Sequence, residues 1–243
     1  MFVERAFVHA DDVGSEWPFT VPAVADLARE GLEFLAPVTI LLGDNGSGKS
    51  TLVEAIAERF GIDARGGRAA QKSRRLDEVT SVLGEVLELE TTPRGARMLR
   101  GPREQKRGFF LRAETAFEMA ENLGGMPGFW DENTAEMSHG EGFLTMFGAM
   151  LAEPGFYVLD EPESALSFTA CLNLVALMSH LGEEGAQLVC ATHSPILAST
   201  PGADIVEVGE HGLRRSTWDE LELVQHWRRY LDDPNVYLRH LLD

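Results

Sequence analysis

The chain has 243 residues, is 44% apolar and carries a formal net charge of −18. This suits a packed globular core and excludes a chain that coats nucleic acid or an anionic membrane with its whole surface. No run approaches the ~20 apolar residues of a membrane span, and the opening "MFVERAFVHADD" holds no sustained apolar block, so a cytoplasmic protein without direct membrane insertion is expected. Cys171 and Cys190 lie in separate apolar stretches with no Cys-x-x-Cys spacing. They are expected to be buried reduced thiols.

In chain order, the first stretch with clear chemistry is "VTILLGDNGSGKST", residues 38–51. A β-branched and leucine-rich strand ends in Gly43-Asp44-Asn45-Gly46-Ser47-Gly48-Lys49-Ser50-Thr51, and the helix-like "TLVEAIAERF" follows. Strand, Gly-rich turn and helix form the context of a phosphate-binding loop. The glycines let backbone N–H groups converge on phosphate oxygens, and the helix turns its positive end to the same anion. In such a loop Lys49 is expected to bridge the β- and γ-phosphates of a nucleotide, and the Ser50 hydroxyl can ligate Mg²⁺. Phe7, Trp17 and Phe19 precede the loop, and each is a candidate to fill the core.

The charge is uneven. Residues 65–112 hold 12 of the 21 Lys/Arg and six acids, a local balance of +6 that leaves −24 for the remainder. "RGGRAAQKSRR" (65–75) and "TPRGARMLRGPREQKRG" (92–108) read as long surface loops around "LDEVTSVLGEVLELE", which supplies a helix turn and a strand. These basic loops either contact an anionic ligand, nucleotide or nucleic acid, near the ATP face, or pair with acids on the surface.

Further on, "FYVLDEPESALS" (156–167) is an apolar strand ended by consecutive carboxylates. Alone it is either a solvated strand exit or a functional pair, with Asp160 beside a metal and Glu161 as general base. The phosphate loop favours the second reading, because Mg²⁺ held by Ser50 needs a carboxylate at the end of a neighbouring strand. At the C-terminus, Thr217-x-x-Glu220 has capping-box spacing, and Leu221, Val224, Trp227 and Leu231 recur at helical spacing. A closing amphipathic helix is expected.

The ordered motifs resemble those of the ATP-binding cassette (ABC-type) ATPases. "MSHGEG" (137–142) is similar to the family's signature loop, with Ser138 and Gly140 at its Ser and second Gly positions. "FYVLDEPESAL" resembles its Walker B strand with the adjoining Glu161, followed by a D-loop at Ser164–Ser167. "LVCATHSP" (188–195) places His193 at its switch histidine. "WPFTVPAV" and "GFFLRAETAF" are also similar to a small bacterial group of stand-alone ABC-type ATPases. His139 stands for a usual Gly, and Ser167 for a usual Asp. Of Gln71, Gln105 and Glu114, none is identified as the Q-loop residue, and the resemblance implies an aromatic stacked on adenine ahead of the phosphate loop, for which Phe7, Trp17 and Phe19 are the candidates.

The resemblance implies an α/β P-loop NTPase of ABC-ATPase type, with a mixed sheet, a parallel core and flanking helices. Residues 1–243 form one such domain, with a basic loop-rich insert at about 61–112. It further implies Mg²⁺-dependent ATP binding and hydrolysis by Lys49, Glu161 and His193, coupled to head-to-tail homodimerisation in which Ser138 and Gly140 face the γ-phosphate bound by the other subunit. A soluble ATPase switch acting on a protein or nucleic-acid partner is the expectation. A DNA-repair or chromosome-type ATPase and a transporter's ATPase subunit are the alternatives.

Overall fold

A computed structural model of the chain describes residues 1–62, 67–68, 81–102, 107–112, 154–239 and 241. Within these residues a seven-stranded sheet has the order β10-β9-β3-β8-β7-β6-β4. The strands are β3 (Val38–Leu42), β4 (Gly67–Arg68), β6 (Gly108–Arg112), β7 (Phe156–Asp160), β8 (Gln187–Thr192), β9 (Asp204–Gly209) and β10 (Gly212–Ser216). β9, β3, β8, β7 and β6 run parallel, while β10 and β4 close the two edges antiparallel. This is the mixed sheet with a parallel core that the motifs imply. A second, antiparallel sheet sets β1 (Val3–Val8) between β2 (Leu32–Glu33) and β5 (Leu87–Thr91).

Parallel strands covered on both faces need apolar residues at every position, and β3, β7 and β8 are buried throughout. Successive side chains go to opposite faces. Leu41, Phe110, Val158 and Val189 therefore join one core with β1 and the helices α1 (Pro22–Glu30) and α2 (Lys49–Phe60). Ile40, Phe109, Leu159 and Cys190 join the other, against a helix at Phe168–Glu183. Both cysteines are free and buried, and burial pushes both thiols above their ordinary range.

α3 (Val82–Val86) and β5 match the expected helix turn and strand. Residues 93–100, read above as loop, instead form α4 (Pro93–Arg100). Thr92 caps it by accepting from the Gly95 N–H at 3.1 Å, and Pro93 supplies the first-turn φ. Gly95 is what hides this helix from sequence reading: a Cβ there would run into the Phe2 carbonyl, so the glycine serves close backbone approach and not a turn. α5 (Phe168–Glu183) is capped by Ser167, which accepts from the Ala170 N–H at 3.3 Å. α6 (Glu222–Asp232) starts later than the Thr217 cap predicts, because residues 218–220 form a 3₁₀ turn closed by a 2.7 Å bond from Thr217 Oγ1 to Glu220 Oε2. Its apolar stripe is only half covered: Leu221 and Val224 are buried, whereas Trp227 and Leu231 are exposed.

One buried side chain ties the small sheet to the large one. Gln187, fully buried at the start of β8, accepts from the N–H groups of Phe2 (2.6 Å) and Val3 (2.9 Å) and donates to the Val3 carbonyl (2.8 Å). Gln187→Leu keeps the bulk and leaves three backbone groups without these bonds. The expected loss is about 3 kcal/mol of stability, read as a lower urea midpoint at unchanged slope; a shift under about 0.5 kcal/mol would mean the anchor is dispensable.

Candidate active site

Because β3, β6, β7 and β8 are parallel, their carboxyl ends reach one edge of the sheet. Leu42 lies opposite Thr192, Asp160 opposite Ala191, and Arg112 opposite Asp160. Ligands of open α/β sheets bind outside such ends. The Gly43 N–H donates to the Thr192 carbonyl at 3.3 Å, so the phosphate loop is stitched to the strand that delivers His193.

The loop's conformation requires its glycines. Gly46 (φ 83°) and Gly48 (φ 101°) are left-handed, and a Cβ on Gly48 would come within 2.7 Å of Val21. Gly48 is also the N-cap of α2 and offers no side-chain cap, leaving the first N–H groups of that helix for an anion. Glycine in place of a capping side chain costs roughly a few tenths of a kcal/mol. Burial of Leu52, Val53, Ile56 and Phe60, worth about 1.5–3 kcal/mol per large side chain, outweighs it and holds the helix end at the sheet edge. Phe60 stacks on Phe156 of β7 with centroids 4.3 Å apart.

Lys49 opens α2, and its side chain is 2% exposed. Its Nζ donates to the Asp44 carbonyl at 2.8 Å and lies 3.7 Å from Glu161 Oε1. Ser50 Oγ donates to Asp160 Oδ1 at 3.0 Å. Burial pushes the Asp160 carboxyl up from 3.8 to about 6, against the opposing pull of the Ser50 hydrogen bond and the Arg112 guanidinium. A buried carboxylate beside a hydroxyl is a hard-oxygen pair of the kind Mg²⁺ takes. Lys49, Ser50 and Asp160 thus fit a magnesium nucleotide.

Glu161 holds the sole non-glycine positive φ among the described residues (φ 48°, ψ 48°), a strain of about 1 kcal/mol or more. Its N–H donates to the Ala191 carbonyl at 2.9 Å, and its carbonyl accepts from the Ser164 N–H at 3.1 Å. The chain therefore leaves β7 abruptly, and Glu161 Oε1 comes within 3.6 Å of His193 Nδ1 as well as 3.7 Å of Lys49. The structure gathers Lys49, Ser50, Asp160, Glu161 and His193.

Lys49, Ser50, Thr51, Asp160, Glu161 and Trp17 border one cleft of about 580 Å³. Asn45 and Gly46 form a wall between it and a second cleft of about 610 Å³, which Gly43, Asp44 and Ser47 also line. The second cleft carries Glu207, Glu210 and Glu222 and no Lys or Arg among its described residues. Polyphosphate therefore suits the first. Of the three aromatics, Trp17 reaches that cleft and is 62% exposed, whereas Phe19 packs on the core and Phe7 meets His9 edge to face.

Sequence reading passed over two residues. Arg112 ends β6 in the nucleotide cleft, 2.7 Å from Glu54 and in register with Asp160. The signal was available, since "GFFLR" ends an apolar strand in a charge just as "FYVLD" does. Glu163 is the second: its carboxylate binds Thr192 and His193. Ser138, Gly140, Gln71, Gln105, Glu114 and most of the 65–75 segment lie outside the described residues.

Residues 36–164, more than half of the chain, match the family model described as "ABC transporter". A second model, described as an AAA domain, matches residues 133–199. Among curated proteins, the arabinose import ATP-binding protein AraG of Chromohalobacter salexigens is 28% identical over 240 residues, covering 92% of this chain and 47% of that protein. ABC transporter G family member 15 of Dictyostelium discoideum is 26% identical over 208 residues, covering 74% of this chain and 14% of that protein. The chain thus spans about half the length, or less, of these relatives. The SMC head domain from Thermotoga maritima shares the fold at 16% identity and TM-score 0.50, with 89% of this chain and 99% of that one covered. With the matched segment running from β3 through the phosphate loop to the Asp160–Glu161 strand end, the chain belongs to the ATP-binding cassette family.

Proposed function

We propose that the chain binds Mg·ATP in the cleft beside Lys49 and hydrolyses it, as a soluble switch that closes and reopens a head-to-tail homodimer. The observation that carries this reading is the meeting of Lys49, the Ser50–Asp160 pair, Glu161 and His193 within hydrogen-bond or ion-pair reach at one sheet edge. In it, the loop N–H groups and Lys49 hold the phosphates, and Trp17 stacks on the base. Ser50 and Asp160 hold Mg²⁺, which supplies charge neutralisation at the β- and γ-phosphates when bound. Glu161 accepts a proton from the attacking water, and His193 orients that water and the γ-phosphate. Ser138 and Gly140 of a second copy close over the same phosphate. The name of the arabinose import relative, matched over 92% of this chain, favours a second reading, in which the ATPase serves a membrane partner on a separate chain. Among the described residues no helix is long and apolar enough to cross a membrane.

Glu161→Gln keeps shape and hydrogen bonding without a base. ATP binding should persist while hydrolysis falls about 100-fold or more, and light scattering should show an ATP-dependent dimer. Wild-type turnover by this variant would place the base elsewhere.

The buried carboxylate generates a second expectation. The folded-state pKa of Asp160 is raised, from 3.8 to about 6, so its charged form opposes folding. That penalty is absent below the lower value, grows between the two and is complete above the upper one. Asp160→Asn should therefore stabilise the nucleotide-free chain by up to about 3 kcal/mol near pH 8, with the gain shrinking toward pH 4, while Mg²⁺-dependent ATP binding is lost. Urea midpoints across that range check the sign; equal gains at both ends would mean burial of charge is not the cause.

A further inference from the structure

The chain turns sharply after β7. Left-handed Glu161 and the 3₁₀ turn Pro162–Ala165 carry Glu163 back beneath the end of β8. There the Glu163 side chain is only 7% exposed, and burying a carboxylate costs several kcal/mol unless it is bonded. Its Oε1 accepts from Thr192 Oγ1 at 2.5 Å and from the His193 N–H at 2.8 Å. The same oxygen lies 3.5 Å from His193 Nδ1. No Lys or Arg lies within ion-pair distance of it among the described residues, so the imidazole is the one basic side chain it meets there.

Two atoms are left over. Glu163 Oε2 and His193 Nδ1 are both buried without a hydrogen bond, although the His193 side chain as a whole is 42% exposed. The ring therefore turns Nδ1 inward, toward Glu163, and leaves Nε2 on its exposed edge. Nδ1 also lies 3.6 Å from Glu161, whose side chain is 28% exposed and shared with Lys49 at 3.7 Å. Glu163 has no such competitor and is the more deeply buried acceptor. A carboxylate in this position holds an imidazole in one orientation and one tautomer without taking its proton.

We propose that Glu163 is the positioning residue of His193: it holds the strand exit through Thr192 and the backbone, keeps the ring proton on Nδ1, and so presents Nε2 at the exposed edge. The role of this edge in ATP turnover rests on the hydrolysis reading above; the tautomer does not. Glu163 is not a catalytic residue, since everything it does passes through the ring.

The test is ¹⁵N NMR of histidine-labelled full chain at about pH 8, where an ordinary imidazole is neutral, with the His193 signal assigned from its loss in His193→Asn. The wild type should show the Nδ1–H tautomer. In Glu163→Gln an amide oxygen in the Oε1 place can still accept from Thr192 and the His193 N–H, but it carries no charge to hold a proton on Nδ1, so the ring shifts toward Nε2–H. ATPase kinetics form the second arm: Glu163→Gln should lower kcat about ten-fold or more with KM for ATP within about three-fold, and should cost nothing further in a His193→Ala background. An Nε2–H ring in the wild type overturns the proposal whatever the variants do. So does a Glu163→Gln loss of the same size in the His193→Ala background, which would mark a general effect on the fold. The expected tautomers in wild type and variant support the clamp even if the chain does not turn over ATP, so the two readings fail separately.

Discussion

Five neighbouring parallel strands covered on both faces leave few places for charge other than their ends. Inside the sheet every position of β3, β7 and β8 is buried, and an unpaired ion there would cost more than any single apolar contact returns. The strands run the same way, so their ends lie together. The phosphate loop after Leu42, Arg112, Asp160 and His193 after Thr192 are neighbours because of strand polarity, and the chemistry depends on that proximity.

The site is correspondingly unfavourable for the isolated fold. Lys49 is nearly buried, Asp160 is pushed to about 6 by burial, Glu161 sits in a left-handed conformation, and α2 begins without a side-chain cap. The strain at Glu161 costs about 1 kcal/mol or more, the buried charge of Asp160 up to about 3 kcal/mol, and the glycine cap roughly a few tenths. The apolar anchors of α2, with Phe60 stacked on Phe156, are large enough to hold the arrangement. An anionic ligand carrying a divalent cation would relieve several of these costs together: N–H groups gain acceptors, Lys49 gains phosphate oxygens and Asp160 gains a cation.

The parts legible in the sequence are those in which one residue type is required by local geometry. The glycines at 46 and 48 signal left-handed turns, and "FYVLD" and "LVCATH" signal buried strands with polar ends. The parts that were not legible depend on contacts distant in sequence. Gly95 reads as a loop residue until Phe2 is seen against it. Trp17, Phe7 and Phe19 are equivalent as letters, and only packing separates the one at the cleft from the others. Glu163 looks like one more acid after Pro162, yet it meets a histidine 30 residues away. Ser167, missing an expected acid, is used instead to cap α5.

The function proposed for these residues is Mg²⁺-dependent ATP hydrolysis. Phosphate release from ATP by the wild-type chain, followed with Mg²⁺ and again with excess EDTA, tests it most directly. Steady turnover with Mg²⁺ and background rates with EDTA are expected; no release in either condition, or the same rate in both, would rule out such an enzyme.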